Sequence, residues 1–291
     1  MYLTGMHELN LDELAENNRV ISRCVLVQPL DRDKQPIRKP QGNVYGSGFI
    51  VKGIWDNVFN AAASKGSGKT HLYGCWHLIT GHDPRNNNTP NNWLQPKYIK
   101  IIGTQVSDQN SVNDLAEFII PLYNSEDKPL WEQEKASIPH EDFNNIGILV
   151  PKRTDAFRIE IQLPFQYVEK WAVTPDYVSE GFFSLGEEVY VAGFPYGFSA
   201  LGSSTPIPIF LRRSVAASFS ENYTVSLLDS ECAPVMSGGP VFRKIGIKWF
   251  LAGMYFGSIH ANPDGQNMPL GTILNLTMIR QSIGSVIKTF G

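Results

Sequence analysis

Short apolar runs rich in β-branched residues recur along this chain, each bounded by Gly, Pro, Asn or Asp. Residues 20–28, 43–51, 71–80, 97–102, 116–122 and 145–150 read as six strands. The stretch 164–180, with Pro164 and Pro175, shows few regular signals and reads as a break. Strand patterns resume at 188–193, 208–215, 223–228 and 248–255. The ends differ in period. Residues 7–19 read as a short acidic helix with Leu9, Leu11 and Leu14 on one side. Residues 277–289 place Ile279, Ile283, Val286 and Ile287 at helical spacing.

The pattern is therefore about six strands, a linker, about six strands and a closing helix. It predicts an all-β fold: two six-stranded antiparallel β-barrels packed side by side, with a short N-terminal helix and a C-terminal helix. The expected organisation is an extension over 1–19, a first barrel over 20–165 carrying His82, and a second over 166–291 carrying Ser237.

Composition narrows this only a little. The 25 Gly and 19 Pro fit a turn-rich β chain, and 42% apolar against 18% charged residues fits a buried core. A net charge of −3 gives no expectation of nucleic-acid or membrane binding. Cys24, Cys75 and Cys232 are too few and odd in number for a disulfide framework, which suits a reducing, cytoplasmic location. The first residues lack the basic and apolar regions of a secretory signal.

The candidate chemistry lies in Asp229-Ser-Glu-Cys-Ala-Pro-Val-Met-Ser-Gly-Gly-Pro-Val241. Two glycines after Ser237 leave its hydroxyl uncrowded and free the backbone, and Pro240 feeds a strand edge. A nucleophilic serine needs that setting, with backbone N–H groups aimed at the same point. Taken alone, the stretch is also an ordinary Gly-Gly-Pro connection.

Its surroundings add to it. Gly46-Ser-Gly-Phe-Ile-Val51, Leu78-Ile-Thr80 leading to His82, Asn145-Ile-Gly-Ile-Leu149, 186–195 and 229–241 occur in one order. In that order the chain resembles the trypsin-like, chymotrypsin-fold serine peptidases over roughly residues 45–285, bacterial intracellular members above all. The resemblance implies a serine endopeptidase that cleaves peptide bonds through an acyl-enzyme on Ser237, with His82 as general base. Asn145 stands where the family has its third group, and the N–H groups of Val235 and Ser237 would line the oxyanion hole. A peptide or protein is then the substrate, and no cofactor or metal is implied.

Three positions depart from the family pattern. Only Gly81 separates Thr80 from His82, Asn145 replaces an aspartate, and Val235 replaces a glycine. Asp142 is an alternative acid. These departures keep open a second reading: a catalytically degraded relative that binds a peptide or protein in the same cleft. Glu231, six residues before Ser237, stands near the base of the family's primary pocket. Tyr255 and Gly257 lie on the strand that would pair with an extended substrate.

Other motifs carry less. Residues 63–70 match a loose phosphate-loop pattern but lack a buried strand before and a helix after. Cys75, His77 and His82 suggest zinc, yet a fourth ligand is missing, so a packed cysteine and a strand histidine are expected. His140 and His260 read as loop residues.

Overall fold

Alternating residues of the central strands face two different cores. Val25, Val27, Ile50 and Leu72 pack in one cluster with Ile99, Ile159 and Trp171. Their neighbours Leu26, Phe49, Val51 and Tyr73 pack in another with Phe194, Phe242, Met254 and Leu274. Strands sandwiched in this way read as continuous apolar runs instead of alternations. The structure is a computed structural model. It describes residues 11–39, 42–52, 69–81, 95–106, 112–133, 155–179, 181–197, 206–218, 225–261 and 268–276.

The chain opens with helix α1 (Leu11–Ile21) and then β1 (Val25–Leu30). A short hairpin, β2 (Arg38–Lys39) and β3 (Gly42–Asn43), lies in what reads from sequence as loop. Next come β4 (Gly46–Lys52), β5 (Thr70–Gly74), helix α2 (Trp76–Thr80), β6 (Tyr98–Val106), β7 (Val112–Pro121), β8 (Trp131–Gln133) and β9 (Phe157–Ile161). The helix Phe165–Trp171, β10 (Ala172–Val173) and a 3₁₀ turn at Pro175–Tyr177 occupy the expected break. The second half holds β11 (Glu188–Gly193), β12 (Ile209–Ala217), β13 (Val225–Leu228), β14 (Pro240–Ile245), β15 (Lys248–Ala261) and β16 (Met268–Asn275).

The second half closes as a six-stranded antiparallel barrel in the order β11-β12-β13-β16-β15-β14. Around Phe183, Val189, Val191, Val215, Tyr255 and Ile273 it builds its own core. The first half is a curled sheet in the order β7-β6-β1-β4-β5-β9-β8, with β10 pairing parallel to β4. The double-barrel architecture expected from sequence is present, with two differences: the first half is an eight-stranded sheet instead of a six-stranded one, and among the described residues it stays open. Its closing edge β8 has three residues, and β7 at the other edge exposes Leu115, Glu117 and Ile119.

Two further corrections concern the first half. Residues 71–80 are not one strand; β5 ends at Gly74 and α2 follows. Val20 and Ile21 belong to α1, not to the following strand. The expected strand at 145–150 and the expected C-terminal helix at 277–289 lie outside the described residues, as does most of 63–70. Helix α1 docks on the second barrel: Trp249 Nε1 donates to Asn17 Oδ1 at 3.0 Å, and Lys244 Nζ to Glu13 Oε1 at 2.9 Å. Among the described residues no helix is long and apolar enough to cross a membrane.

The shared cluster of Phe49, Tyr73, Phe194, Phe242 and Met254 joins the two halves. Phe49 and Tyr73 stack across β4 and β5 with centroids 5.4 Å apart. This layer fixes the Ser237 turn of the second half against β4 and β5 of the first.

Candidate active site

Ser237 sits on the turn between β13 and β14. The turn is locked by its glycines. Gly238 N donates to Tyr255 O at 2.7 Å, Tyr255 N to Gly239 O at 2.9 Å, and Gly239 N to Met236 O at 3.0 Å. Gly238 has φ +86°, and a Cβ there would lie 2.2 Å from Ser47 O and 2.9 Å from Cys75 N. Only glycine meets both demands. The backbone after Ser237 therefore lies directly on β4 and on the end of β5.

Two residues beyond Cys75, α2 carries His77. The helix starts without a local cap: Cys75 makes no side-chain capping bond. A carboxylate 78 residues away supplies one instead, as Asp155 Oδ1 accepts the His77 backbone N–H at 2.7 Å. The same carboxylate's other oxygen, Oδ2, forms a short hydrogen bond with His77 Nδ1. Asp155 is fully buried, while the His77 side chain is 36% exposed. Gly81 ends the helix in the left-handed region (φ 71°), with its N–H on His77 O. A buried carboxylate bonded to Nδ1 places that nitrogen's proton and leaves Nε2 as the basic nitrogen.

The N–H groups of Val235 and Ser237 donate no hydrogen bond among the described residues, and neither does the Ser237 hydroxyl. Val235 is a β-branched residue at φ +75°. Two carbonyls of this turn are engaged: Pro234 O accepts from Tyr196 N at 3.0 Å, and Val235 O from Ser47 Oγ at 3.0 Å. Two half-buried residues, Val235 and Ser237, thus keep backbone N–H groups without a partner among the described residues.

Cys75 Sγ, a His77 ring nitrogen and an Asp155 oxygen lie within 4.8 Å of one another. These three could contact a cation, but four-coordinate zinc needs another donor. Burial, then the charge of Asp155, push the Cys75 thiol well up. A thiol kept protonated is a poor metal ligand.

Ser237 and Val235 thus meet on one turn. His82, Asn145 and Asp142 lie outside the described residues. Glu231 is exposed; its N–H donates to Pro269 O at 3.2 Å, and its carbonyl accepts from Arg213. Tyr255 is buried, and its hydroxyl accepts from Cys232 N at 3.1 Å and pairs with Ser258 Oγ. Gly257 is half-buried at φ 144°, and its carbonyl accepts from Thr272 Oγ1 at 2.7 Å.

Sequence reading weighs His77 only as a zinc ligand or a strand histidine, and it passes over Asp155. His77 reads as a strand residue because Trp-His-Leu-Ile-Thr is β-like in composition; a distant carboxylate makes it helical. Two signals mark the pair. Gly81 offers a helix stop four residues after His77. Asp155 heads the alternating run Phe157-Arg-Ile-Glu-Ile161, whose pattern is that of a strand.

No family model and no curated protein matches the chain. Solved structures overlap it at low identity. An inactive form of Rv3671c from M. tuberculosis H37Rv is 10% identical, with a TM-score of 0.46 over 97% of this chain and 94% of that one. The serine endoprotease from Yersinia pestis is 14% identical, with a TM-score of 0.47 over 94% and 67%. The protease Anisep from Arthrobacter nicotinovorans is 9% identical, with a TM-score of 0.49 over 92% and 97%. A closed six-stranded barrel lies beside a curled sheet, with the serine turn packed where the halves meet, an architecture consistent with a double-barrel chymotrypsin fold.

Proposed function

We propose that this protein is a serine endopeptidase of the trypsin-like class, with Ser237 as nucleophile, His77 as general base and Asp155 as the group that orients it. The observation that carries the reading is the His77–Asp155 pair two residues from the peptide on which the Ser237 turn rests. The sequence expectation gave the base to His82. His77 has the stronger claim, because a buried carboxylate already holds its ring. Asp155 likewise takes the place that the family pattern gives to Asn145 or Asp142.

Ser237 Oγ attacks the carbonyl carbon of a peptide bond, and its proton passes to His77 Nε2. Asp155 stabilises the imidazolium that forms. The oxyanion is held by the N–H groups of Val235 and Ser237, each worth about 3–4 kcal/mol. His77 then gives its proton to the departing amine nitrogen as the C–N bond breaks. Water attacks the acyl-enzyme, with His77 again as base, and releases the carboxylic product and free Ser237. The substrate is a peptide or protein in extended form. Three buried free cysteines support a reducing, cytoplasmic setting.

One observation favours the second reading, a non-catalytic peptide-binding relative: the Ser237 hydroxyl makes no hydrogen bond among the described residues. In sites without substrate this bond is often long and tightens in the complex. Incubation with a fluorophosphonate probe separates the readings. Stoichiometric labelling of Ser237, located by mass spectrometry and lost in Ser237→Ala, supports the enzyme. Folded protein that takes no label favours the binding module.

A further inference from the structure

Val235 poses a physical problem. A β-branched residue at φ +75° is strained by about 1–3 kcal/mol and persists only where its surroundings hold it. The relaxed alternative is near at hand. Rotating the Pro234–Val235 peptide by about half a turn would bring Val235 to negative φ. It would also reverse the Val235 N–H, put Pro234 O in its place and break the bond from Tyr196 N. The oxyanion hole exists only while that rotation is blocked.

φ of Val235 is the torsion about its N–Cα bond, so it keeps its value when the peptide before that bond and the carbonyl after it both stay in place. The plane before Val235 is held by Tyr196 N on Pro234 O at 3.0 Å. The plane after it is held by Ser47 Oγ on Val235 O at 3.0 Å. Ser47 is the second residue of β4, in the other half of the molecule, and is fully buried. Its hydroxyl also accepts from Phe194 N at 3.1 Å. An N–H on one lone pair leaves the hydroxyl's single proton for Val235 O, so the direction of the bond is set. Ser47 N donates to Ser237 O at 3.0 Å, and Ser47 O is the atom that a Cβ on Gly238 would strike. One residue thus fixes the turn on both sides of the nucleophile without facing the cleft.

We propose that the Ser47 hydroxyl is a positioning residue for the oxyanion hole: it holds Val235 in its left-handed conformation and keeps the Val235 N–H open to substrate. This rests on the serine-peptidase reading above. It assigns a role to a side chain that touches neither substrate nor the reacting atoms. It also accounts for how the chain tolerates valine where the family pattern has glycine.

The test is a double-mutant cycle of Ser47→Ala and Val235→Gly, read by kcat and KM on a peptide substrate and by the rate of fluorophosphonate labelling. Ser47→Ala is expected to lower kcat by about 10- to 100-fold, approaching the loss of one oxyanion donor, with KM within about threefold. In the Val235→Gly background the same Ser47→Ala change is expected to cost less than about threefold, because glycine takes positive φ without strain. A merely structural serine would give equal losses in both backgrounds, and that result overturns the proposal. So does an unchanged kcat in Ser47→Ala. Where Ser47→Ala does not fold, Ser47→Cys keeps the size with a weaker donor and is expected to show an intermediate loss. Crystal structures of the Ser47 variants add a readout that needs no activity. Val235 at negative φ supports the latch, and Val235 still near +75° overturns it. Wild-type protein that takes no label at Ser237 refutes the peptidase reading and leaves this structural arm to decide the latch.

Discussion

The two halves of the molecule contribute to the proposed site in opposite ways. The closed barrel contributes backbone: the N–H groups of Val235 and Ser237, on a turn locked by Gly238 and Gly239. The open sheet contributes side chains: the His77 imidazole and the Asp155 carboxylate, brought together from α2 and the residues just before β9. Backbone groups are placed by φ and by close packing, so they tolerate changes of side chain but not of conformation. Side-chain groups are placed by one partner, so they tolerate small shifts of backbone but not of chemistry. The two kinds of site should therefore fail differently when mutated.

Loss of chemistry gives the largest expected effect. Ser237→Ala should lower kcat by about 10⁴- to 10⁶-fold while thermal stability stays near wild type. Stopped-time peptide hydrolysis beside a melting curve checks both. On the side-chain half, Asp155→Asn should lower turnover by about 10⁴-fold at neutral pH, because an amide no longer dictates the imidazole tautomer. It should leave the fold largely intact, since an amide oxygen can still accept the His77 N–H. A loss below about tenfold would remove Asp155 from the proposed site.

The backbone half should respond to geometry. Gly238→Ala puts a methyl 2.2 Å from Ser47 O at φ +86°, and a cost of about 3 kcal/mol or more is expected. Urea unfolding monitored by tryptophan fluorescence would show a lowered midpoint with the slope unchanged. Activity lost at full stability would instead mean that the turn adapts, which erases the contrast between the halves.

The smallest effect is alkaline. Burial pushes the Tyr255 phenol from its ordinary 10.0 up to about 12. Burial also pushes the Cys232 thiol from 9.0 up to about 12. Both groups have raised folded values, so the stability they contribute is complete below their unfolded values and fades as pH rises toward 12. The melting temperature should fall as pH rises from 9 toward 12, and Tyr255→Phe should flatten part of that slope. An equal slope in the variant would place the alkaline sensitivity elsewhere.

Much of this was legible in the chain, and unevenly so. The serine turn is local: Ser-Gly-Gly-Pro carries its own geometry, and the structure finds β14 starting at Pro240 as read. Val235 was legible as a departure from the family's glycine, and the structure puts it at φ +75°. The histidine was not. α2 is five residues long, below any helical period, and exists because Asp155 caps it from 78 residues away. A contact of that range leaves no periodic trace. Strands β8 and β9 were passed over for a related reason: β8 is three residues, and β9 carries the charged residues Arg158 and Glu160 between apolar ones. The buried Arg158 is tolerated there because Glu132 on β8 accepts from it at 2.7 Å.

If His77, held by Asp155, is the base, two histidine variants should differ sharply. His77→Gln and His82→Gln are purified side by side, and each is timed for fluorophosphonate labelling at Ser237 at neutral pH. The account predicts that His77→Gln slows labelling by at least about 10³-fold, while His82→Gln stays within about threefold of wild type. The reverse result, with His82→Gln silent and His77→Gln labelling at the wild-type rate, would contradict it.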